Sequence, residues 1–291
     1  AGVCNLLGAT SKATANAIGI AGSSIVPLRV TRSGELTPWK NVATPFAVRQ
    51  GLFAALLAME GMEGPGNCFD GRDGLFDNIT GPFDLAPFPN EGGAFLLPRV
   101  LLKFWPIETN GQSVVWAALE LRDKIKAEEI AEIEVFCDPF TRFEIGSEPA
   151  KWDPRTRETA DHSLPYIFAR SLVDGPLTLA SFEVSAVQDP ALRPLMDKIT
   201  VTVDDDIEAL MPKTTKIRVV AKSISGATET VEVVNPLGHP DNPMLDNHTD
   251  EKFHAMGDGP LGTERCGAAL EAWRGVRDAD DLRPLMALLD F

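Results

Sequence analysis

The spacing of hydrophobic residues predicts helices in the first part of the chain. Phe46, Leu52, Phe53, Leu56 and Met59 recur at intervals of three and four, which predicts a buried bundle helix over residues 45–60. A shorter helix is predicted over residues 12–19, with Ser11 as its cap and a break at residues 22–24. Residues 61–98 are rich in glycine and proline, which is typical of a long irregular connection.

After this connection the pattern changes to short runs rich in valine, isoleucine and threonine, which favour β-strands. We predict strands over residues 130–137, 199–203, 216–220 and 228–234, the last two forming an antiparallel hairpin, with helices over residues 113–127, 163–174 and 191–198. Helical patterns return over residues 246–256, 264–274 and 279–289. The predicted fold class is α+β: a mostly α-helical domain at 1–100 and 241–291, with a small α+β domain inserted at 101–240.

Charge and composition exclude several functional classes. Lys and Arg total 27 against 42 Asp and Glu, giving a net charge of -15, so we predict no nucleic-acid partner. The apolar run at residues 51–59 is shorter than the roughly 18 residues needed to cross a bilayer. We therefore expect a soluble, cytoplasmic protein without a membrane partner.

One segment concentrates candidate chemistry. Residues 151–166 read Lys-Trp-Asp-Pro-Arg-Thr-Arg-Glu-Thr-Ala-Asp-His-Ser-Leu-Pro-Tyr. Its cations can clamp a carboxylate, the Asp161-His162 pair can move a proton, and the prolines fix the loop. The alternative is a solvated charged loop.

Other patterns indicate what the chain lacks. The four histidines contain no pair at i, i+4, and no cysteine lies within five positions of a histidine, so we predict no metal site. Residues 257–262, Gly-Asp-Gly-Pro-Leu-Gly, match the dinucleotide fingerprint but follow a predicted helix rather than a strand. We expect no cofactor.

Four ordered segments together resemble the MmgE/PrpD family, which includes 2-methylcitrate dehydratase. The first is the segment at 151–166. The others are Arg-Ser-Gly-Glu-Leu-Thr-Pro-Trp-Lys at 32–40, Leu-Lys-Phe-Trp-Pro-Ile-Glu-Thr-Asn-Gly-Gln at 102–112, and residues 238–253, which open with Gly-His-Pro-Asp-Asn-Pro and end with Glu-Lys-Phe. The resemblance implies a helical domain with a lid, a cleft between them that binds a small polycarboxylate, and a homodimer. It also implies that this chain corresponds to the carboxy-terminal portion of the usual family chain.

The resemblance gives each candidate residue an expected role. The expected catalytic residues are His162 and Asp161, which transfer a proton or orient its transfer, and Lys103, a cation that binds a substrate carboxylate. The expected substrate-binding residues are Lys40, Arg32, Lys151 and Asn110. Lys103 has an alternative interpretation as a surface lysine whose stem covers apolar groups. Asn110 departs from the family pattern, in which dehydratases carry a histidine at this position.

The expected function is cofactor-independent dehydration of 2-methylcitrate or a similar branched polycarboxylate. Other activities in the family remain open, namely decarboxylation of cis-aconitate and epimerisation of an imino-diacid. A third possibility is a non-catalytic fragment or a subunit that needs a partner to complete its helical domain. Such an incomplete bundle is expected to leave an apolar face uncovered and to associate.

Overall fold

The computed structural model describes residues 1–24, 27–84 and 96–290. Contacts divide the chain into two compact units, Ala1–Phe95 and Leu96–Phe291. Helices of five or more residues are labelled α1 to α8. Shorter or non-α helical turns lie at Arg29–Arg32, Phe76–Thr80, Leu97–Arg99, Ala127–Glu129, Pro139–Thr141, Arg142–Gly146, Pro149–Trp152, Arg157–Ala160, Leu179–Phe182, Val184–Val187, Pro190–Leu192, Arg193–Met196, Asp205–Glu208 and Val276–Asp278.

The first unit is built on three helices: α1 (Gly2–Leu6), α2 (Ser11–Ser24) and α3 (Trp39–Met59). Helix α2 packs along α3 through small residues. The predicted break at residues 22–24 is wrong, because the helix continues to Ser24 while the Ser23 hydroxyl donates to the Gly19 carbonyl at 2.8 Å. The predicted cap is also one residue off, since Ala13 N donates to Thr10 Oγ1 at 3.2 Å.

Helix α3 begins earlier than predicted and is not the buried helix that its pattern indicates. It starts at Trp39 and includes Pro45, which the sequence analysis took as the first helical residue. Its buried residues are Ala54, Ala55 and Ala58. The large side chains predicted to form the core are instead exposed, Phe53 by 60% and Leu56 by 47%. Alanines make the close helix contact, so the large apolar side chains face away from it.

Helix α3 is also long and apolar enough to cross a membrane by length and composition, with a mean hydropathy of 1.4 over its best window. The prediction that the apolar run at residues 51–59 is too short to cross a bilayer holds for that run, but a longer helix that includes polar residues meets the average. It counted an uninterrupted run that starts after Arg49 and Gln50, whereas a window average tolerates an isolated charge. Only 17% of that window is buried. The mostly buried core helix of a soluble protein passes the same test, so one such helix is weak evidence for a membrane span.

The second unit contains a four-stranded sheet in the order β2-β1-β3-β4. The strands are β1 (Ile130–Cys137), β2 (Ile199–Val203), β3 (Lys216–Ser223) and β4 (Thr228–Val234). The first two strands pair in parallel, and the others pair antiparallel. The predicted strands and hairpin are confirmed, with β3 three residues longer than expected.

Helices α4 (Gly111–Arg122) and α5 (Leu164–Asp174) pack against each other, and α4 also covers β3 and β4. Every residue of α5 from Leu164 to Leu172 is buried. On the sheet, Ile133 and Val135 of β1 and Val219 of β3 point into the same core. This alternation of buried and exposed positions is what the sequence pattern predicts.

The chain ends in α6 (Asp246–Leu261), α7 (Thr263–Arg274) and α8 (Arg283–Ala287). The fingerprint-like residues 257–261 form the last turns of α6, so this segment is not a phosphate-binding loop between a strand and a helix. Helices and one sheet among the described residues agree with the predicted α+β class. The inserted lid and the three-part division at residues 100 and 240 stay predictions.

Candidate active site

The predicted site residues fall in both units, and each unit is described by itself. In the first, Arg32 ends the helical turn Arg29–Arg32 and is exposed. Lys40 lies in the first turn of α3, at the start of the long apolar helix, and is half-buried. The turn packs on α3, and a groove of about 460 Å³ between them is lined mainly by apolar side chains such as Leu28 and Phe46.

In the second unit, the segment at residues 151–166 is not a uniformly solvated loop. Lys151 is completely buried, and its Nζ lies 3.9 Å from Glu148 Oε2. Asp153 and Arg155 of the same segment form an exposed ion pair. Lysine is rarely buried without a compensating partner, so the location of Lys151 is a specific feature of this segment.

His162 is also buried, with 3% of its surface exposed. Its Nδ1 contacts Asp161 Oδ1 in a short hydrogen bond. A carboxylate accepts the Nδ1 proton of a neutral imidazole, which leaves Nε2 as the atom able to take a proton. The pair therefore has the arrangement of a base and the group that orients it.

Ser163 connects this pair to Lys151. The Ser163 side chain caps α5 by accepting a hydrogen bond from Tyr166 N at 3.1 Å. The same hydroxyl donates to the Lys151 carbonyl in a short hydrogen bond. One serine thus fixes both the start of a buried helix and the backbone of the buried lysine.

The Glu108–Asn110 turn is hydrogen-bonded to the same part of the second unit. Glu108 N donates to the Asp161 carbonyl at 3.0 Å. Asn110 N donates to Glu108 Oε2 at 2.6 Å, and Asn110 Nδ2 donates to Glu108 Oε1 at 3.3 Å. We call Glu108, Asn110, Lys151, Asp161 and His162 the histidine cluster. Sequence reasoning missed Glu108, although it is the acidic residue of the quoted Pro-Ile-Glu-Thr-Asn stretch.

Lys103 is exposed and lies beside a second lysine. Its carbonyl accepts a short hydrogen bond from Lys252 Nζ. Burial, together with the nearby charge of Lys103, lowers the pKa of Lys252. A bound anion would offset the repulsion between these two positive charges. We call Lys103 and Lys252 the lysine pair. Lys252 was missed, although it lies in the Glu-Lys-Phe stretch quoted from the fourth segment.

The position of Lys103 depends on a motif glycine. Leu102 N donates to the Gly238 carbonyl at 2.8 Å. Gly238 has φ of 96°, and a Cβ at this position would lie 2.0 Å from the Leu102 carbonyl oxygen. The first residue of the Gly-His-Pro-Asp-Asn-Pro stretch is therefore required for the chain to pass so close to the lysine pair.

Family comparisons agree with these motifs. The family model for the MmgE/PrpD N-terminal domain matches residues 1–87, and that for the MmgE/PrpD C-terminal domain matches residues 105–273. The chain belongs to the MmgE/PrpD family. The second match contains all five residues of the histidine cluster.

Several relatives of this MmgE/PrpD chain are enzymes of carboxylate metabolism by name. Human cis-aconitate decarboxylase is 24% identical over 84% of this chain and 51% of its own length. The 2-methylcitrate dehydratase of Escherichia coli K12 is 26% identical over 81% of this chain and 51% of its own length. A fungal alkylcitrate dehydratase is 27% identical, with 87% and 52% covered. The chain therefore spans about half the length of the curated relatives it matches.

Proposed function

We propose that this chain forms part of a carbon-oxygen lyase that dehydrates 2-methylcitrate or a similar branched polycarboxylate without a cofactor. The observation that carries the proposal is the histidine cluster. Within it, backbone and cap hydrogen bonds join a buried lysine, a His-Asp pair and the Glu108–Asn110 turn. Membership of the MmgE/PrpD family and relatives named as dehydratases support the same reaction class.

Dehydration needs a proton taken from a carbon beside a carboxylate and a hydroxyl that leaves as water. We propose that Nε2 of His162 takes the proton from carbon and delivers it to the leaving hydroxyl, which departs as water, while Asp161 holds the ring and stabilises the imidazolium that forms between these steps. Fixed cations must neutralise the substrate carboxylates and the charge that develops on the carbanion. We assign this role to Lys103, Lys151, Lys40 and Arg32, and we add Lys252 to them.

Asn110 is proposed to bind substrate rather than to transfer a proton, because an amide can donate a hydrogen bond but does not titrate. Its amide nitrogen faces Glu108, the residue that links this turn to Asp161. The family resemblance implies a histidine at this position in dehydratases, so Asn110 supports a reaction that uses a different set of proton-transferring groups. The named human relative makes decarboxylation of cis-aconitate the second candidate.

Product identity tests the reaction. We expect 2-methylcitrate to give a conjugated alkene, followed by absorbance, and we expect no release of carbon dioxide from cis-aconitate. Asp161→Asn should lower kcat by about 100-fold or more, as expected for a disrupted acid-base pair. Asp153→Asn, in the exposed part of the same segment, should leave it unchanged. Full turnover by His162→Gln would remove this residue from the mechanism.

Binding of tricarballylate, an unreactive tricarboxylate, tests the anion site apart from chemistry. Calorimetry should show that Lys103→Gln weakens binding by about tenfold or more, which corresponds to one lost charge-assisted hydrogen bond. Lys126→Gln, at an exposed lysine of the same unit, is the matched control. Equal affinity in both variants would contradict a role for the lysine pair.

A further inference from the structure

Three side chains with different metal-binding atoms come together at the contact between α6 and α7. They are His254 and Asp258 of α6 and Cys266 of α7, and we call them the donor trio. One ligand atom from each lies within 4.8 Å of the other two. His254 and Asp258 are four residues apart and therefore lie on one face of the helix. Their Nδ1 and Oδ1 atoms are 2.9 Å apart.

A glycine allows the thiol to reach this face. Gly257 lies between the two helical donors, and a Cβ at this position would lie 2.6 Å from Cys266 Sγ. Any larger residue would push the sulfur away from His254 and Asp258. The left-handed Gly262, with φ of 78°, joins the two helices and places Cys266 one turn into α7. Gly257 and Gly262 thus allow the three donor atoms to come close together.

Burial differs across the donor trio in a way that suits an ion with a free coordination position. Cys266 is completely buried, whereas the side chains of His254 and Asp258 remain 37% and 38% exposed. An ion bound here would have sulfur on the protein side and an open side for water. Three protein ligands with an exchangeable fourth position are a known arrangement for zinc.

We infer that His254, Asp258 and Cys266 form a binding site for a borderline-soft divalent metal ion of the zinc type. The donor set decides the class of ion, since a thiol and an imidazole select against calcium and magnesium, which prefer oxygen ligands. Bound metal would join α6 to α7 and replace the proton of the buried thiol. This inference is independent of the proposed lyase activity.

Cobalt(II) is the probe, because a cobalt-thiolate bond gives a charge-transfer absorption that imidazole and carboxylate ligands do not. Titration of the full, tag-free chain should produce this band and saturate at one ion per chain. Cys266→Ala should abolish the band. His254→Gln and Asp258→Asn, which change half-exposed side chains, should each weaken cobalt binding by about tenfold or more.

Matched controls are Cys68→Ala, a buried thiol of the other unit, and His248→Gln, an imidazole elsewhere on α6. Both should bind cobalt like the unchanged chain, and circular dichroism should show that all variants are folded. Zinc should displace cobalt and, at one fixed concentration, raise the melting temperature of the unchanged chain more than that of His254→Gln. Absence of the charge-transfer band, or unchanged affinity in His254→Gln, would overturn the inference and leave the donor trio as a hydrogen-bonded contact.

Discussion

Helix α3 of the first unit and helix α5 of the second both carry strongly apolar sequences, but they differ in burial. In α5, a run of nine residues is buried against α4 and neighbouring turns. In α3, the buried residues are three alanines, while Phe46, Phe53 and Leu56 are exposed by 40% to 60%. An apolar helical pattern therefore predicts the helix itself more reliably than it predicts burial.

The difference lies in what each unit offers as a partner. The second unit surrounds α5 with helix α4 and several short helical turns, so α5 has apolar neighbours on several sides. Among the described residues of the first unit, α2 and α3 meet through small residues such as Ala17, Ala55 and Ala58, and most of the large side chains of α3 are at least 40% exposed. Because such a face is costly in water, we expect it to be covered by other protein.

The largest expected difference concerns phenylalanine in the two helices. Phe168 of α5 is completely buried, whereas Phe53 of α3 is 60% exposed. Phe168→Ala should lower the free energy of unfolding by about 3–5 kcal/mol, because it leaves a cavity in the core. In the monomer, at protein concentrations below the dissociation constant of the predicted dimer, Phe53→Ala should change it by less than about 0.5 kcal/mol. Urea denaturation followed by circular dichroism measures both, and comparable losses would show that Phe53 is buried in solution.

A smaller effect is expected on self-association through α3. If two copies cover each other's apolar faces, each buried large side chain contributes about 1.5–3 kcal/mol, which is a tenfold or greater change in the dissociation constant. Phe53→Gln and Leu56→Gln should each raise the dissociation constant of the dimer by about tenfold. Sedimentation velocity over a concentration series gives this constant.

The matched control for association is Ile224→Gln. Ile224 follows β3 in the second unit and is 73% exposed, yet it is a single residue rather than part of an apolar face. It should leave the dissociation constant unchanged. A chain that stays monomeric at all concentrations would contradict the predicted homodimer.

Local patterns in the sequence were sufficient to predict most secondary structure of the second unit. The bounds of β1, β2 and β4 agree with prediction because alternation has a period of two and each strand is flanked by residues that break it. The start of α3 was missed because Pro45 suggests a helix start, whereas the helix already exists when it reaches this proline. Burial of α3 depends on the elements that pack against it, and the sequence pattern of one helix does not show which elements these are.

The candidate site shows the same limit. Motif resemblance identified Lys151, Asp161 and His162, and their roles stay predictions. The donor trio was not predicted, because the spacing of a histidine to other histidines and to nearby cysteines does not include an Asp four residues away or a distant Cys. The i, i+4 spacing of His254 and Asp258 is visible in the sequence. Cys266 joins them only because two helices turn back on each other at Gly262.

The smallest expected effect is the difference in stability loss when the cap residue of one helix in each unit is replaced by alanine. Ser163 caps α5 in a buried setting and also donates to the Lys151 carbonyl, whereas Thr10 caps α2 at an exposed position. Ser163→Ala should lower the free energy of unfolding by about 1–2 kcal/mol, because the buried Tyr166 N and Lys151 carbonyl lose a partner. Thr10→Ala should lower it by about 0.5 kcal/mol, since water can replace the lost cap.

Thermal and urea denaturation of the two cap variants measure this difference. Tricarballylate binding adds a second readout, because Ser163→Ala frees the backbone of Lys151 and should weaken binding, while Thr10→Ala should not. Equal stability losses with unchanged binding would contradict the role of Ser163 in connecting α5 to the buried lysine. A larger stability loss together with weaker tricarballylate binding in Ser163→Ala would show that the Ser163 hydroxyl both stabilises the second unit and positions Lys151.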